Sequence, residues 1–114
     1  MEYKLDIVYE TPYYKLIENK SVETVEIYHK LINWVSGDFD TYLQDDSSGL
    51  IIYYPNGWLN INCNIQHKNK IIVEFKVNSK SKKSCQSMFI QLEYIYNHLC
   101  KIYGYNEPIT YELQ

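Results

Sequence analysis

The stretch LIIYYPNGWLNINCNIQHKNKIIVEFKV, Leu50–Val77, decides the fold. Apolar residues recur at every second position on either side of two turn signals, which is the period of a strand with one buried face. Asn56-Gly57 is the strongest hairpin dipeptide in the chain, because both residues tolerate the positive φ of a two-residue type I′ loop. Read as that loop, it sets Tyr54 opposite Leu59, Ile52 opposite Ile61 and Leu50 opposite Cys63. A five-residue loop over Gln66–Lys70 sets Cys63 opposite Val73, Ile61 opposite Phe75 and Leu59 opposite Val77, whereas a four-residue loop would set Ile61 against Glu74. Upstream, Asp46-Ser47-Ser48-Gly49 is a turn, and a four-residue loop there pairs Leu43 with Ile52 and Thr41 with Tyr54. Four strands follow, at about 39–45, 50–55, 58–65 and 71–77, with one face apolar throughout. A slip of one residue would move every side chain to the other face and destroy that agreement.

Helical periods flank the meander. Val25, Tyr28, Leu31, Ile32 and Val35 fall on one stripe, so a helix is expected over Ser21–Ser36, with Ser21 as N-cap and Gly37 just past its end. Met88, Leu92, Ile95, Leu99 and Ile102 form a second stripe on a helix over Ser84–Tyr103, closed by Gly104. Asn78–Lys83 reads as a polar, basic loop. Tyr3–Tyr9 alternates like a strand, Thr11-Pro12 offers a cap and first helical position for a short turn over Tyr13–Glu18, and Ile109–Leu113 is a candidate last strand. The expected fold is α+β: a four-stranded antiparallel meander, two helices packed on one face, and candidate extra edge strands at the termini.

The 114 residues suit a single domain, 1–114, with enough chain to bury a core without metal or disulfide staples. Hydrophobic residues at 46% and charged residues at 22% exclude a mostly disordered chain. No apolar run approaches a membrane span, and the first residues do not resemble a secretory signal. Three cysteines without a C-x-x-C pair fit free thiols in a reducing cytoplasm. The chain holds 13 Tyr and no Arg at all, so it lacks the planar fork that grips phosphate or guanine. A net charge of −3 disfavours nucleic acid and anionic membrane and points to a neutral or basic partner.

Catalytic and metal constellations are weak. His98 and Cys100 lie two apart on a helix and cannot chelate one ion together, and Cys63 falls on the core face of its strand. Cys85 lies near the start of the second helix beside Lys82 and Lys83, where the helix dipole favours a thiolate, but a harmless thiol at a helix end is the expectation. There is no Gly-rich phosphate loop, and Asp45-Asp46 is mainly turn chemistry. No cofactor and no enzymatic activity are expected. Lys80, Lys82 and Lys83 before the last helix resemble the basic loop of a double-stranded-RNA-binding module, but the first helix offers no basic second site.

The sheet's outer face is the informative surface. The expected register places Asp40, Tyr42, Gln44, Ile51, Tyr53, Trp58, Asn60, Asn62, Asn64, Ile72, Glu74 and Lys76 there, with Tyr42 opposite Tyr53. Tyr and Trp give large contact area with few rotatable bonds and dominate interface hot spots. An aromatic centre bordered by Asp38, Asp40, Asp45 and Asp46 suits a basic protein partner. The candidate partner-binding residues are Asp40, Tyr42, Asp45, Asp46, Tyr53, Trp58, Asn60 and Asn62.

Through Phe39–Asp46, the Asn56-Gly57-Trp58 hairpin and the helix–meander–helix order, residues 21–104 resemble the small immunity proteins of bacterial polymorphic-toxin and contact-dependent growth inhibition systems. The charge of −3 is milder than their usual pattern. The resemblance implies a cytoplasmic, non-enzymatic protein that binds and neutralises a cognate toxin domain. It is most similar to a family whose toxins are tRNA-directed nucleases acting with elongation factor Tu, which implies a basic partner and no direct contact with nucleic acid. An acidic secretion chaperone and a phage-encoded inhibitor of host defence are the alternative expectations. The chaperone would need an exposed dimerisation face, for which Phe89, Tyr96 and Tyr103 are the candidates.

Overall fold

A computed structural model describes residues 6–65 and 71–103. The chain runs β1 (Val8–Glu10), β2 (Tyr13–Val22), α1 (Val25–Asp38), β3 (Leu43–Asp45), β4 (Leu50–Tyr54), β5 (Gly57–Ile65), β6 (Ile71–Ser79) and α2 (Lys82–Ile102). The class is α+β, as expected. Among the described residues, however, the antiparallel sheet has six strands, in the order β1-β2-β6-β5-β4-β3. The expected last strand at Ile109–Leu113 and the helix-ending Gly104 lie outside the described residues.

The largest departure is β2. Tyr13–Glu18 is not a helical turn, and Pro12 sits in the β1–β2 connection behind a cis Thr11–Pro12 bond. β2 pairs along the whole of β6, with Leu16 opposite Val77, Lys20 opposite Val73 and Val22 opposite Ile71. Its inward positions are apolar at both ends, where Leu16 and Val22 are buried, and charged between them at Glu18 and Lys20. Lys20 is accommodated because its ammonium pairs with the half-buried Glu93 of α2 and lies 5.5 Å over the Tyr96 ring. Burial raises the Glu93 carboxyl above its ordinary value.

With Ser21 held in β2, α1 starts at Val25. Thr24 caps it, its Oγ1 accepting from the Ile27 N–H at 3.1 Å. Tyr28, Leu31 and Val35 of the expected stripe are buried, whereas Val25 in the first turn is exposed. Gly37 lies inside the helix and Phe39 is the C-cap. α2 begins two residues early because Ser81 caps it, accepting from the Ser84 N–H. Leu92, Ile95 and Leu99 are core as expected. Phe89 and Tyr96 are core too, which removes two of the three residues offered for a dimerisation face. Ile102 of the expected stripe is exposed.

Register agreed with expectation on one hairpin and not on two. β5 and β6 pair as read, with Cys63 opposite Val73, Ile61 opposite Phe75 and Leu59 opposite Val77. β4 and β5 are shifted by two: Leu50 faces Ile61, Ile52 faces Leu59 and Tyr54 faces Gly57. The turn is therefore Pro55-Asn56. Proline fixes φ near about −65°, which excludes the positive φ of a type I′ loop. Gly57 is a strand residue, and a Cβ on it would fall 1.9 Å from the Asn78 carbonyl oxygen. A shift of two keeps every side chain on its face.

β3 and β4 slip by one, which does change faces. Leu43 is opposite Tyr53, Gln44 opposite Ile52 and Asp45 opposite Ile51. The strand is short because Phe39–Tyr42 turns back, the Tyr42 N–H donating to the Phe39 carbonyl. Gln44 points inward because it closes α1: its Nε2 donates to the Ser36 and Phe39 carbonyls at 3.0 and 2.9 Å, and Ser36 Oγ donates to its Oε1.

Asn78 and Ser79 belong to β6 rather than to a polar loop, and both are buried. Tyr54 Oη donates to the Asn78 carbonyl at 2.9 Å, and the Lys80 N–H donates to the Asn56 carbonyl. The inward faces of β2, β4, β5 and β6 join the buried stripes of α1 and α2 in a single core. Each of its fully buried Leu, Ile and Phe side chains contributes about 1.5–3 kcal/mol. Both helices lie on that one side of the sheet.

Candidate functional site

The sheet's other face is covered by neither helix. Pairing aligns its outward residues into rows. One row crosses all six strands: Val8, Lys15, Asn78, Trp58, Tyr53 and Leu43, each opposite the next. The adjacent row reads Ile17, Lys76, Asn60, Ile51 and Asp45. A third brings Asn19, Glu74 and Asn62 together.

Of the residues singled out from sequence, Tyr53, Trp58, Asn60, Asn62 and Asp45 share this face. Tyr53 is 41% exposed and lies directly opposite Trp58. Tyr42 does not belong with them. The one-residue slip turns it to the helical side, where its ring meets Phe39 at 6.1 Å and Tyr54 at 6.5 Å. Leu43 takes its place opposite Tyr53 and is 74% exposed. Gln44, too, is inward rather than outward. Asp40 sits in the turn after α1 and Asp46 follows β3; both are exposed, but neither is on a strand. The Asp45 carboxylate accepts the Ser47 N–H at 2.9 Å, which holds its pKa below the usual carboxylate range.

Sequence reasoning missed what β2 adds. Tyr13 meets Trp58 edge-on, ring centroids 5.0 Å apart, and leaves Trp58 only partly exposed. Lys15 and Ile17 join the face beside Lys76. A depression of about 290 Å³ lies over Trp58, Asn60, Asn62, Asn78, Lys15 and Lys76. Asn62 Nδ2 donates to Asn60 Oδ1 on its floor. The lysines pair with acids on the same face, Lys15 with Glu10 at 2.9 Å and Lys76 with Glu74 at 3.9 Å. The centre is thus mixed in charge, and Asp45 is the carboxylate that β3 adds to this face, two residues from Leu43. Alternation around Lys15 and Ile17 was the available signal, but the charged Glu18 and Lys20 hid the strand.

Burial opposes activation of Cys85 by the helix dipole. Its side chain is buried, Sγ lies 3.8 Å from the Val77 carbonyl, and burial pushes its pKa up to about 11. Burial also raises Cys63 and Cys100. The buried thiol outweighs the helix dipole here, so Cys85 is a core residue. Among the described residues no three His, Cys, Asp or Glu side chains gather closely enough to hold a metal ion. No helix among them is long and apolar enough to cross a membrane.

Comparison with known proteins finds no family model that matches the chain and no match among curated protein sequences.

Proposed function

We propose that this is a non-enzymatic binding protein: an immunity protein that caps a cognate toxin domain with the outer face of its sheet. The observation that supports it is the cross-strand row Trp58–Tyr53–Leu43, with Tyr13 packed beside it, on a face that neither helix covers. An exposed apolar patch rimmed by polar residues marks an interaction site. Rigid aromatics at its centre lose little side-chain entropy on docking. Asp45 on this face, with the exposed Asp46 after β3 and Asp40 in the turn after α1, would steer a basic surface, such as the substrate groove of a tRNA-directed nuclease, toward the sheet. Inhibition then follows from occupying the surface that RNA must reach. The protein acts in the cytoplasm, where such a toxin would meet its RNA.

The test asks whether a large open reading frame lies upstream of the gene and pairs the protein with the C-terminal domain that frame encodes. Co-expression should relieve the growth arrest that this domain causes, and the two should co-purify. Growth arrest that persists with the protein folded and abundant, or a gene with no such neighbour, overturns the reading. Lost binding on replacing Lys80, Lys82 and Lys83 by Ala, with Trp58→Ala silent, would move the site to the start of α2.

A further inference from the structure

On the opposite side of the molecule, α1 and α2 leave a notch of about 280 Å³ between them. Its walls are the rings of Trp34, Tyr94 and His98, its floor is Ile95, and Asp38 stands at its rim. His98 and Tyr94 stack with their planes 2° apart and centroids 6.1 Å apart, and Trp34 lies 5.7 Å from His98. Tyr94 is 69% exposed, so the wall is open to solvent.

Three features give this notch a sign. Asp38 is the last residue of a 14-residue helix, and α1 has no basic residue in its last turn. The helix C-terminus carries about half a negative charge of its own, so carboxylate and dipole add instead of cancelling. Gln91 Nε2 donates to Asp38 Oδ2, which fixes the carboxylate at the rim. Aromatic faces attract cations through their quadrupole. The same seam already seats one: Lys30 Nζ lies 4.9 Å over the ring of Tyr103, which packs on Trp34.

We infer that the notch between α1 and α2 receives the guanidinium of an arginine side chain presented by a protein partner. A guanidinium is planar, stacks on aromatic rings and donates in its plane to a carboxylate, so one group satisfies wall and rim together. A lysine ammonium is more strongly hydrated and lacks the plane that stacks. This inference does not depend on the sheet-face reading, because the two sites lie on opposite sides of the molecule.

The experiment titrates the intact protein with N-acetyl-arginine N-methylamide and follows the Trp34 indole N–H by NMR. The citrulline and lysine counterparts are run in parallel; citrulline keeps the shape and removes the charge. The arginine probe should shift the Trp34 and Tyr94 signals along one saturating curve. Citrulline should bind about tenfold more weakly, and lysine several-fold more weakly. Asp38→Asn should weaken the arginine probe about tenfold and leave citrulline unchanged. Tyr94→Leu should weaken the arginine probe while preserving the fold, since Tyr94 is exposed. Equal affinity for arginine and citrulline would make the notch merely apolar and overturn the inference. So would equal affinity for lysine, an unaltered titration of Asp38→Asn, or no saturating shift.

Discussion

Gly57 lies so close to Asn78 that a Cβ built on it would stand 1.9 Å from the Asn78 carbonyl oxygen and 2.8 Å from Ser79 Cα. The obstacle is backbone, so a substitution must move β5 or β6. Gly57→Ala should cost about 1–3 kcal/mol, the range for forced overpacking. Gly37 is the internal contrast. It sits inside α1, and a Cβ there meets nothing within 4 Å. Gly37→Ala should stabilise by about 0.4–1 kcal/mol, because alanine restricts the unfolded chain and favours the helix. Urea denaturation of both variants checks the pair. A neutral Gly57→Ala would mean that the strands are not in this close contact.

Leu92 sits at the centre of the buried stripe of α2. Leu92→Ala should cost about 2–5 kcal/mol, through lost burial and the cavity left behind. Val25, read from the sequence as part of the α1 stripe, is exposed in the first helical turn. Val25→Ala should change stability by less than about 0.5 kcal/mol. Equal costs at the two sites in chemical denaturation would contradict the helix placement.

These pairs mark where the sequence was legible. The β5–β6 pairing could be read because Leu59, Ile61 and Cys63 face Val77, Phe75 and Val73, so a slip of one residue would set apolar side chains against polar ones. β2 could not, because Glu18 and Lys20 interrupt its inward face. The partner that accommodates Lys20 is Glu93, 73 residues away on α2. The dipeptide Asn56-Gly57 misled for a different reason. Gly57 answers a demand from β6, a close backbone approach, while Pro55 supplies the turn. For the candidate site, Tyr53, Trp58, Asn60 and Asn62 were found because parity survives a two-residue shift. Tyr42 was misplaced because parity does not survive a one-residue slip. The cause of that slip, Gln44 closing the end of α1, is a tertiary contact that no strand pattern encodes.

Cys85 and Tyr54 set a pH dependence at the alkaline end. Burial raises both groups, Cys85 from 9.0 to about 11, and the Cys85 charge raises Tyr54 further against a smaller lowering by its hydrogen bond to Ser79. A group whose folded pKa is raised holds its proton more tightly in the native state. Its contribution is therefore fully present below the ordinary thiol range and is lost as pH rises toward the folded value. Stability should fall between about pH 9 and 11. The fall should be shallower in Cys85→Ala and in Tyr54→Phe than in the parent. Urea midpoints at pH 7, 9 and 10 measure this, and identical slopes in all three proteins would refute it.

The neighbours Tyr42 and Leu43 separate folding from binding. Tyr42 packs against Phe39 and Tyr54 on the helical side, so Tyr42→Ala should lower stability by about 1–3 kcal/mol. Affinity for the proposed toxin partner should be unchanged under conditions where the variant is folded. Leu43 has few contacts to lose, and Leu43→Ser should leave stability within about 0.5 kcal/mol of the parent. Yet Leu43 completes the exposed row with Tyr53 and Trp58, and its loss should weaken binding by about tenfold, mostly through faster dissociation. Trp58→Ala, at the centre of the same row, should cost about 2–4 kcal/mol of affinity, a 30- to 1000-fold loss. Neutralising Asp45 should instead slow association and reduce its salt dependence. The one-residue slip of β3 is what assigns the two neighbours opposite roles. If Tyr42→Ala weakened binding in a stable protein while Leu43→Ser unfolded it, both that register and the sheet-face site would be wrong.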